Sequence, residues 1–375
     1  MTKKNIVIAS DSFKGTLSSL DICNLFNDEL KNRNDINPIY IPIADGGEGS
    51  LDAISKIIEG RYVDVIVNDL YFREVETHFY VDKDNNAYVE AATCVGLHLA
   101  NDNNDPGKVS TYGLGEQILK IIDMGIKKIY IFLGGSASND GGAGLASALG
   151  VIFYDKEGHK FVPTGLTLKD IDIIDTSHTN DLLKDINITI LSDVKSPFYG
   201  PEGAAYKFAP QKGASKEEVI ILDEGLKYYS EIINKQLHKD ISLIPGSGAA
   251  GGLGGGLLAF TNATIKSGIN TLLDLIHFDD VIENVDYVIS GEGKLDKQTL
   301  DGKVIDGVAF RCIKKNKPLI LIVGISEISL KEIQHQYPCI IHLLETNDKH
   351  LPFEEIKQSS KEDYIKKIKE VFSMI

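Results

Sequence analysis

No stretch of the chain approaches the roughly 18 consecutive apolar residues of a membrane-spanning helix. Near its start, Lys3 and Lys4 precede an apolar run, Ile6–Ala9, which ends at Ser10-Asp11 and is too short for a secretory signal. Positive charge is scarce: 39 Lys and Arg stand against 54 Asp and Glu, a formal net charge of −15. So acidic a chain lacks the basic face that nucleic acid or an anionic membrane requires, although a local basic pocket is compatible with it. Cysteine is sparse and scattered (Cys23, Cys94, Cys312, Cys339), with no Cys-x-x-Cys pair. That pattern is expected of free thiols in a reducing cytoplasm. The nine histidines form no His-Glu-x-x-His, and His78 and His98 read as ordinary core or surface residues. A Gly-x4-Gly-Lys-Ser/Thr loop, a protein-kinase catalytic loop and a Gly-x-Ser-x-Gly elbow are also missing. Zinc hydrolysis and serine acyl transfer therefore have no support.

What is present is an ordinary globular composition, 43% hydrophobic and 25% charged, over 375 residues. At roughly 100–200 residues per domain this allows two domains or one large one. Short apolar runs alternate with helical patterns. Ile6–Ala9, a helix from about Ser18 to Lys31, Ile39–Ala44, a helix from about Gly49 to Glu59 and Val63–Val67 read as a βαβαβ opening, hence a parallel sheet covered by helices. The middle is more mixed: Glu76–Val81 with Ala87–Ala91, and Val151–Tyr154 with Lys160–Val162, are expected hairpins. Plain alternation returns with strands at Asp286–Ile289, Leu319–Val323 and Cys339–Leu343. The expected fold is α/β with two domains. Residues 1–67 and 281–375 would form a doubly wound, flavodoxin- or Rossmann-like parallel-sheet domain. Residues 68–280 would be an inserted mixed α/β domain carrying the glycine-rich loops.

Glycine is the abundant residue, 35 in all, and it clusters after strands. Six expected strands run into turns of small residues: 10–15, 44–49, 134–142, 192–193, 290–296 and 324–326. Five of the six carry an acid and two carry a lysine, Lys14 and Lys294. Gly, Ser and Asp are common in any βα turn or helix cap; it is the repetition on one chain that argues for a site. In α/β sheets ligands bind beyond the carboxyl ends of the strands. Glycines there let backbone N–H groups approach phosphate, carboxylates suit Mg²⁺, and a lysine neutralises a phosphoryl group. The densest tract, Pro245 to Leu258, places Gly246, Gly248 and Gly251 in Gly-x-Gly-x-x-Gly spacing. Read as a dinucleotide fingerprint it would imply an NAD-dependent dehydrogenase, but the apolar run before it, Ile241–Ile244, is short and meets Pro245, and no acid stands about 20 residues on. Helix packing and a phosphate-facing loop fit the tract as well.

Six motifs carry a resemblance: Asp11-Ser-Phe-Lys-Gly-Thr, Ala44-Asp-Gly-Gly-Glu-Gly, Gly134-Gly-Ser-Ala-Ser-Asn-Asp-Gly-Gly-Ala-Gly, Phe208-Ala-Pro-Gln-Lys-Gly-Ala, Gly248-Ala-Ala-Gly-Gly-Leu-Gly and Gly291-Glu-Gly-Lys-Leu-Asp-Lys-Gln-Thr. In this order, from about Asn5 to Gly324, they resemble the type-1 glycerate kinase family. After about Glu327 the resemblance fades. The family commonly has arginine where Lys294 stands, a change that matters where bidentate binding is required, and Pro-Ile where Ile305-Asp306 stand. The resemblance implies a two-domain kinase that phosphorylates D-glycerate with ATP and a divalent cation, Mg²⁺, with 2-phosphoglycerate favoured over 3-phosphoglycerate. On that footing Lys14 is expected to contact the transferring phosphoryl group or the substrate carboxylate. Asp45, Asp193 and Asp296 are candidates for metal ligand and general base, with the division among them open. The cofactor phosphates are expected at Gly134, Gly135, Ser136, Asn139, Asp140, Gly141 and Gly142, and at Gly248, Gly251, Gly252 and Gly254. Ser12, Lys212, Glu292 and Lys294 are expected substrate contacts. Besides the dehydrogenase, the other alternative is a non-catalytic anion-binding protein using the same turns.

Overall fold

The computed structural model describes residues 3–43, 49–100, 104–296, 303–349 and 351–375. The chain divides into two compact units, Met1–Asp45 with Asp52–Ile58 and Ile269–Ile375, and Gly46–Leu51 with Glu59–Gly268. The exchanges at 58/59 and 268/269 differ from the 67/68 and 280/281 expected above.

In the first unit a five-stranded sheet runs in the order Ile340–Glu345, Leu319–Val323, Tyr287–Ser290, Lys4–Ile8, Ile36–Tyr40, with every neighbouring pair parallel. Leu319–Val323 is apolar throughout and wholly buried, as a strand covered on both faces must be. Ile36–Tyr40 contains Pro38, which has no N–H to donate and so suits the edge it occupies. The helix Ser19–Leu30 begins at a reciprocal cap: the Ser18 hydroxyl accepts from Asp21 N at 3.0 Å, and Ser18 N donates to the Asp21 carboxylate at 3.0 Å. The C-terminal helix Phe353–Met374 buries Tyr364, Ile368 and Val371, spaced i, i+4, i+7, against Ile6, Ile8, Ile320 and Ile322 of the sheet. From the strand Lys4–Ile8 the chain passes outward to one neighbour and later returns to Tyr287–Ser290 on the other side. The order therefore reverses between these two strands, and their carboxyl ends border the crevice where α/β sheets bind ligands.

The second unit holds a six-stranded sheet in the order Thr264–Lys266, Asn187–Leu191, Lys128–Phe132, Asn86–Glu90, Glu74–Asp82, Gly60–Asn68. The first four are parallel and the last two antiparallel. The hairpin of Glu74–Asp82 and Asn86–Glu90 has the place expected for it. Asp82 shapes its turn, accepting from Asp84 N and Asn86 N at 2.9 Å each. The hairpin of Ile152–Tyr154 and Lys160–Phe161 also forms.

The run Val63–Val67 is the correction. It does not complete a βαβαβ opening in the first sheet but pairs antiparallel with Glu74–Asp82, Val63 opposite Phe79 and Val67 opposite Val75. Its alternation explains this: Tyr62, Asp64 and Ile66 face outward while Val63, Val65 and Val67 pack inward, the pattern of a strand buried on one face. The connection that follows, residues 69–73, is also far too short for a parallel crossover. The Asp69 carboxylate closes it by accepting from Tyr71 N at 2.8 Å and Arg73 N at 3.0 Å.

Candidate active site

Four βα turns of the first unit meet at the crevice between Lys4–Ile8 and Tyr287–Ser290. Asp11 N donates to Gly291 O at 3.0 Å, which ties the first turn to the second. The Asp11 side chain is buried and its carboxylate accepts from Ser12 N at 2.6 Å. A tight loop from Phe13 to Leu17 follows, closed by Phe13 N donating to Leu17 O at 2.7 Å, and it leaves Lys14 exposed at its tip. In the second turn Glu292 is buried, whereas Lys294 stands half in solvent. The Lys294 ammonium lies 2.9 Å from the Glu327 carboxylate and 3.3 Å from that of Asp296. Glu327 first and Asp296 second hold its pKa above the ordinary lysine value. Gly324 N donates to Glu292 O at 3.0 Å and Ile325 N to Gly293 O at 3.2 Å, which adds the third turn, and Asn347 N donating to Gly324 O adds the fourth. Together they surround a cavity of about 350 Å³. Ser12, Lys14, Glu292 and Lys294 all line it, and Asp296 is linked to it through Lys294.

Asp11 and Lys303 also line this cavity without having been singled out from the sequence. Asp11 stands inside a motif that was legible. Lys303 carried no signal beyond lying next to a helix. The opposite wall, which includes Phe353, Ile356, Ser360 and Asp363, comes from the C-terminal helix. In sequence that helix is an ordinary amphipathic one, so nothing marked its second face.

The glycine-rich turn 134–142 lies in the second unit, after Lys128–Phe132. Gly134 and Gly135 reach the surface, while residues 136–142 are buried. Asp140 points inward: its carboxylate accepts from Thr111 N and the Thr111 hydroxyl at 2.8 Å each, from Gly142 N at 3.0 Å and from Gly144 N at 3.2 Å. Burial pushes this carboxyl upward, and those donors oppose the shift. Lys212 is fully buried beside it and donates to Ser138 O at 2.6 Å and to the Ser136 hydroxyl at 3.1 Å. Burial lowers the Lys212 pKa to about 7 against the pull of Asp140. The Asn139 side-chain amide and the Ser138 hydroxyl are buried with no hydrogen-bond partner among the described residues. Buried polar atoms are seldom left so.

The tract 246–256 is packed against this turn. A Cβ on Gly251 would meet Ser138 O at 2.0 Å, one on Gly248 would meet Pro197 O at 2.0 Å, and one on Gly254 would meet Gly246 O at 2.5 Å. Gly252 abuts Gly141, and Gly141 N donates to Gly251 O at 3.1 Å. The N–H groups of Gly252, Gly254 and Gly255, at the start of the helix Leu253–Phe260, are taken up by Gly248 O, Ala249 O and Ser247 O. Close backbone packing thus accounts for the glycines. Residues 241–244 form no strand, so the Gly-x-Gly-x-x-Gly spacing lacks the strand–turn–helix setting of a dinucleotide site.

Asp193 also belongs to the second unit, half-buried beyond the strand Asn187–Leu191, and accepts from Gly268 N at 3.0 Å. Asp45 lies outside the described residues. Among the described residues, no three His, Cys, Asp or Glu side chains form a metal-holding group. Glu90 was missed in the sequence. It ends the strand Asn86–Glu90, is buried, and accepts from Gly49 N at 3.0 Å and Leu51 N at 3.2 Å at the start of the helix Ser50–Ile57. Only the fold brings residues so far apart in sequence together.

The chain resembles known proteins along most of its length. The model of the Glycerate kinase family matches residues 6–375, well past Glu327, where the short motifs give out. A glycerate kinase of Bacillus cereus is 40% identical over 325 residues, covering 85% of this chain and 84% of that protein. Glycerate 2-kinase of Escherichia coli strain K12 is 38% identical over 322 residues, covering 85% and 84%. A crystal structure from Salmonella typhimurium LT2, of a protein provisionally assigned as glycerate kinase 2, superposes with a TM-score of 0.81 at 34% identity and covers 100% of this chain and 98% of that one. The family match over residues 6–375 and the identity to curated glycerate kinases show that the chain belongs to the glycerate kinase family and is an enzyme of the phosphotransferase class.

Proposed function

We propose that the protein transfers the γ-phosphoryl group of Mg-ATP to a hydroxyl of D-glycerate, giving 2-phosphoglycerate and ADP. The observation that carries this reading is the gathering of Ser12, Lys14, Glu292 and Lys294 around one cavity at the switch point of the first sheet, in a chain of this family. Phosphoryl transfer asks the protein mainly to position the reactants and to stabilise charge spread over the equatorial oxygens. Lys14, fixed at the tip of a closed loop, suits that task better than a lysine on a free tail. The donors present also fit the groups invoked: the ammoniums of Lys14 and Lys294 suit phosphate or carboxylate, and carboxylate oxygens suit Mg²⁺. Magnesium, when bound, would draw charge off the phosphate oxygens. Asp45, Asp193 and Asp296 are the proposed metal ligands and general base, the base taking the proton of the attacking hydroxyl. Asn139 and Ser138, buried with unmet hydrogen-bonding capacity, favour a polar ligand at the turn 134–142. No support remains for a dehydrogenase, because the glycine tract is packed shut, and membership of an enzyme family sets aside a purely anion-binding role.

Phosphorus NMR of the product from D-glycerate and Mg-ATP tests the proposal. A 2-phosphoglycerate resonance is expected. A 3-phosphoglycerate resonance would correct the acceptor hydroxyl, and absence of glycerate-dependent ADP release from folded protein would remove the proposal as a whole.

A further inference from the structure

The cavity of the first unit has two unlike walls. One is polar and carries charge of both signs, with Lys14, Lys294 and Lys303 beside Asp11 and Glu292. The other is apolar: Phe13, Ile325, Phe353 and Ile356. Glycerate has three carbons bearing a carboxylate and two hydroxyls, and it offers nothing to set against two phenyl rings. It would also leave most of about 350 Å³ unfilled, a volume at the lower end of the range for cofactor-sized ligands.

The two rings are held differently. Phe13 is buried and braced edge-on against Tyr364, with centroids 5.3 Å apart. Phe353 opens the first turn of the C-terminal helix and keeps 47% of its surface exposed, although it lines a concave site. Its ring tip lies 2.8 Å from where a Cβ on Gly15 would be, so it rests on the backbone directly after Lys14. The helix thereby does two jobs. Tyr364, Ile368 and Val371 join the sheet core, while Phe353, Ile356, Ser360 and Asp363, spaced i, i+3, i+7 and i+10, turn to the cavity. An aromatic face left open beside a cluster of lysines suits a flat heterocycle joined to a polyanion.

We propose that this cavity is the adenine-nucleotide site. The base lies against Phe353 and Phe13, and the phosphates are directed to Lys14, Lys294 and Lys303. The proposal rests on the kinase reading for the identity of the nucleotide, and it moves the nucleotide away from the glycine tract, where the N–H groups of Gly252, Gly254 and Gly255 are already engaged.

Photolabelling with 8-azido-ATP and Mg²⁺, without glycerate, tests it in the wild-type chain. Label is expected on peptides containing Phe13 or residues 353–363, with protection by AMP and none by glycerate. Label on residues 134–148 or 246–260, or no label on protein that turns over ATP, overturns it. Phe353→Ala should raise the KM for ATP about tenfold, the scale of one lost base–aromatic contact. The KM for glycerate should stay within about twofold, and Phe353→Tyr should restore the ATP value. A rise in the glycerate KM instead, or no change in either, also overturns it. If label maps to the cavity but glycerate is never phosphorylated, the kinase reading fails while the nucleotide site stands.

Discussion

At the scale of single residues, two lysines show how burial separates roles that composition cannot. Lys14 is exposed on a closed turn and contributes little to packing. Lys14→Ala is expected to lower kcat/KM by about 100-fold or more, roughly 2.7 kcal/mol, on the scale of one preorganised electrostatic contact. Its melting temperature should hardly move. Steady-state kinetics showing activity within about threefold of wild type would return Lys14 to the solvated surface. Lys212 is the opposite case, with its ammonium locked to Ser138 O and the Ser136 hydroxyl and its pKa pulled to about 7 by burial. Its folded pKa lies below the value of 10.5 expected in the open chain, so between these values the unfolded state binds the extra proton. Stability from this site is therefore lowest at and below pH about 7 and rises with pH through that window. Urea unfolding of wild type and Lys212→Met should show their free-energy difference moving in favour of wild type from pH about 7 to about 10. A flat difference would mean that the ammonium is not desolvated.

At the scale of elements, the turn 134–142 and the helix Leu253–Phe260 behave as one packed pair. Gly251 has φ +70° and stands where any Cβ would press on Ser138 O. Gly251→Ala should accordingly destabilise the second unit by about 3 kcal/mol or more, through strain and steric conflict together, as measured by denaturant unfolding. Were the tract an open phosphate loop, the same variant would keep its stability and lose only nucleotide affinity. Most elements were legible beforehand, because period and punctuation are local. The helix Lys216–Leu237 follows Ser215 and carries Glu218, a capping box that can be read directly from the residues. The strand at 63–67 was legible as a strand but not in its pairing. Which sheet it joins depended on a five-residue connection shaped by Asp69 and on a pattern buried on one face only.

For the whole molecule, charge is the governing quantity. In the proposed reaction a chain of net charge −15 would bind ATP and glycerate, both anionic. Lysines gathered at one cavity and, on the same proposal, a divalent cation on the phosphates would offset that field. EDTA is therefore expected to abolish glycerate-dependent ADP formation and excess Mg²⁺ to restore it, as followed by a coupled assay. Full turnover in metal-free buffer would refute the role given to the cation.

By itself the sequence determined the α/β class, the positions of most strands and helices, the family, and four of the polar residues that line the cavity, Ser12, Lys14, Glu292 and Lys294. These are carried by local patterns: apolar period, caps, and small-residue turns that must follow strands. Only the tertiary structure decided that the glycine tract is closed by backbone packing and that Asp140 faces inward to hold Thr111 and the start of its own helix. It alone decided that Glu90 anchors a helix some forty positions away, and that Phe353 faces the Lys14 turn across more than three hundred residues. A carboxylate or a ring has the same local signature whether it caps, packs or awaits a ligand. What distinguishes these roles is the set of atoms brought around it from distant parts of the chain, and that set exists only after the sheets have formed.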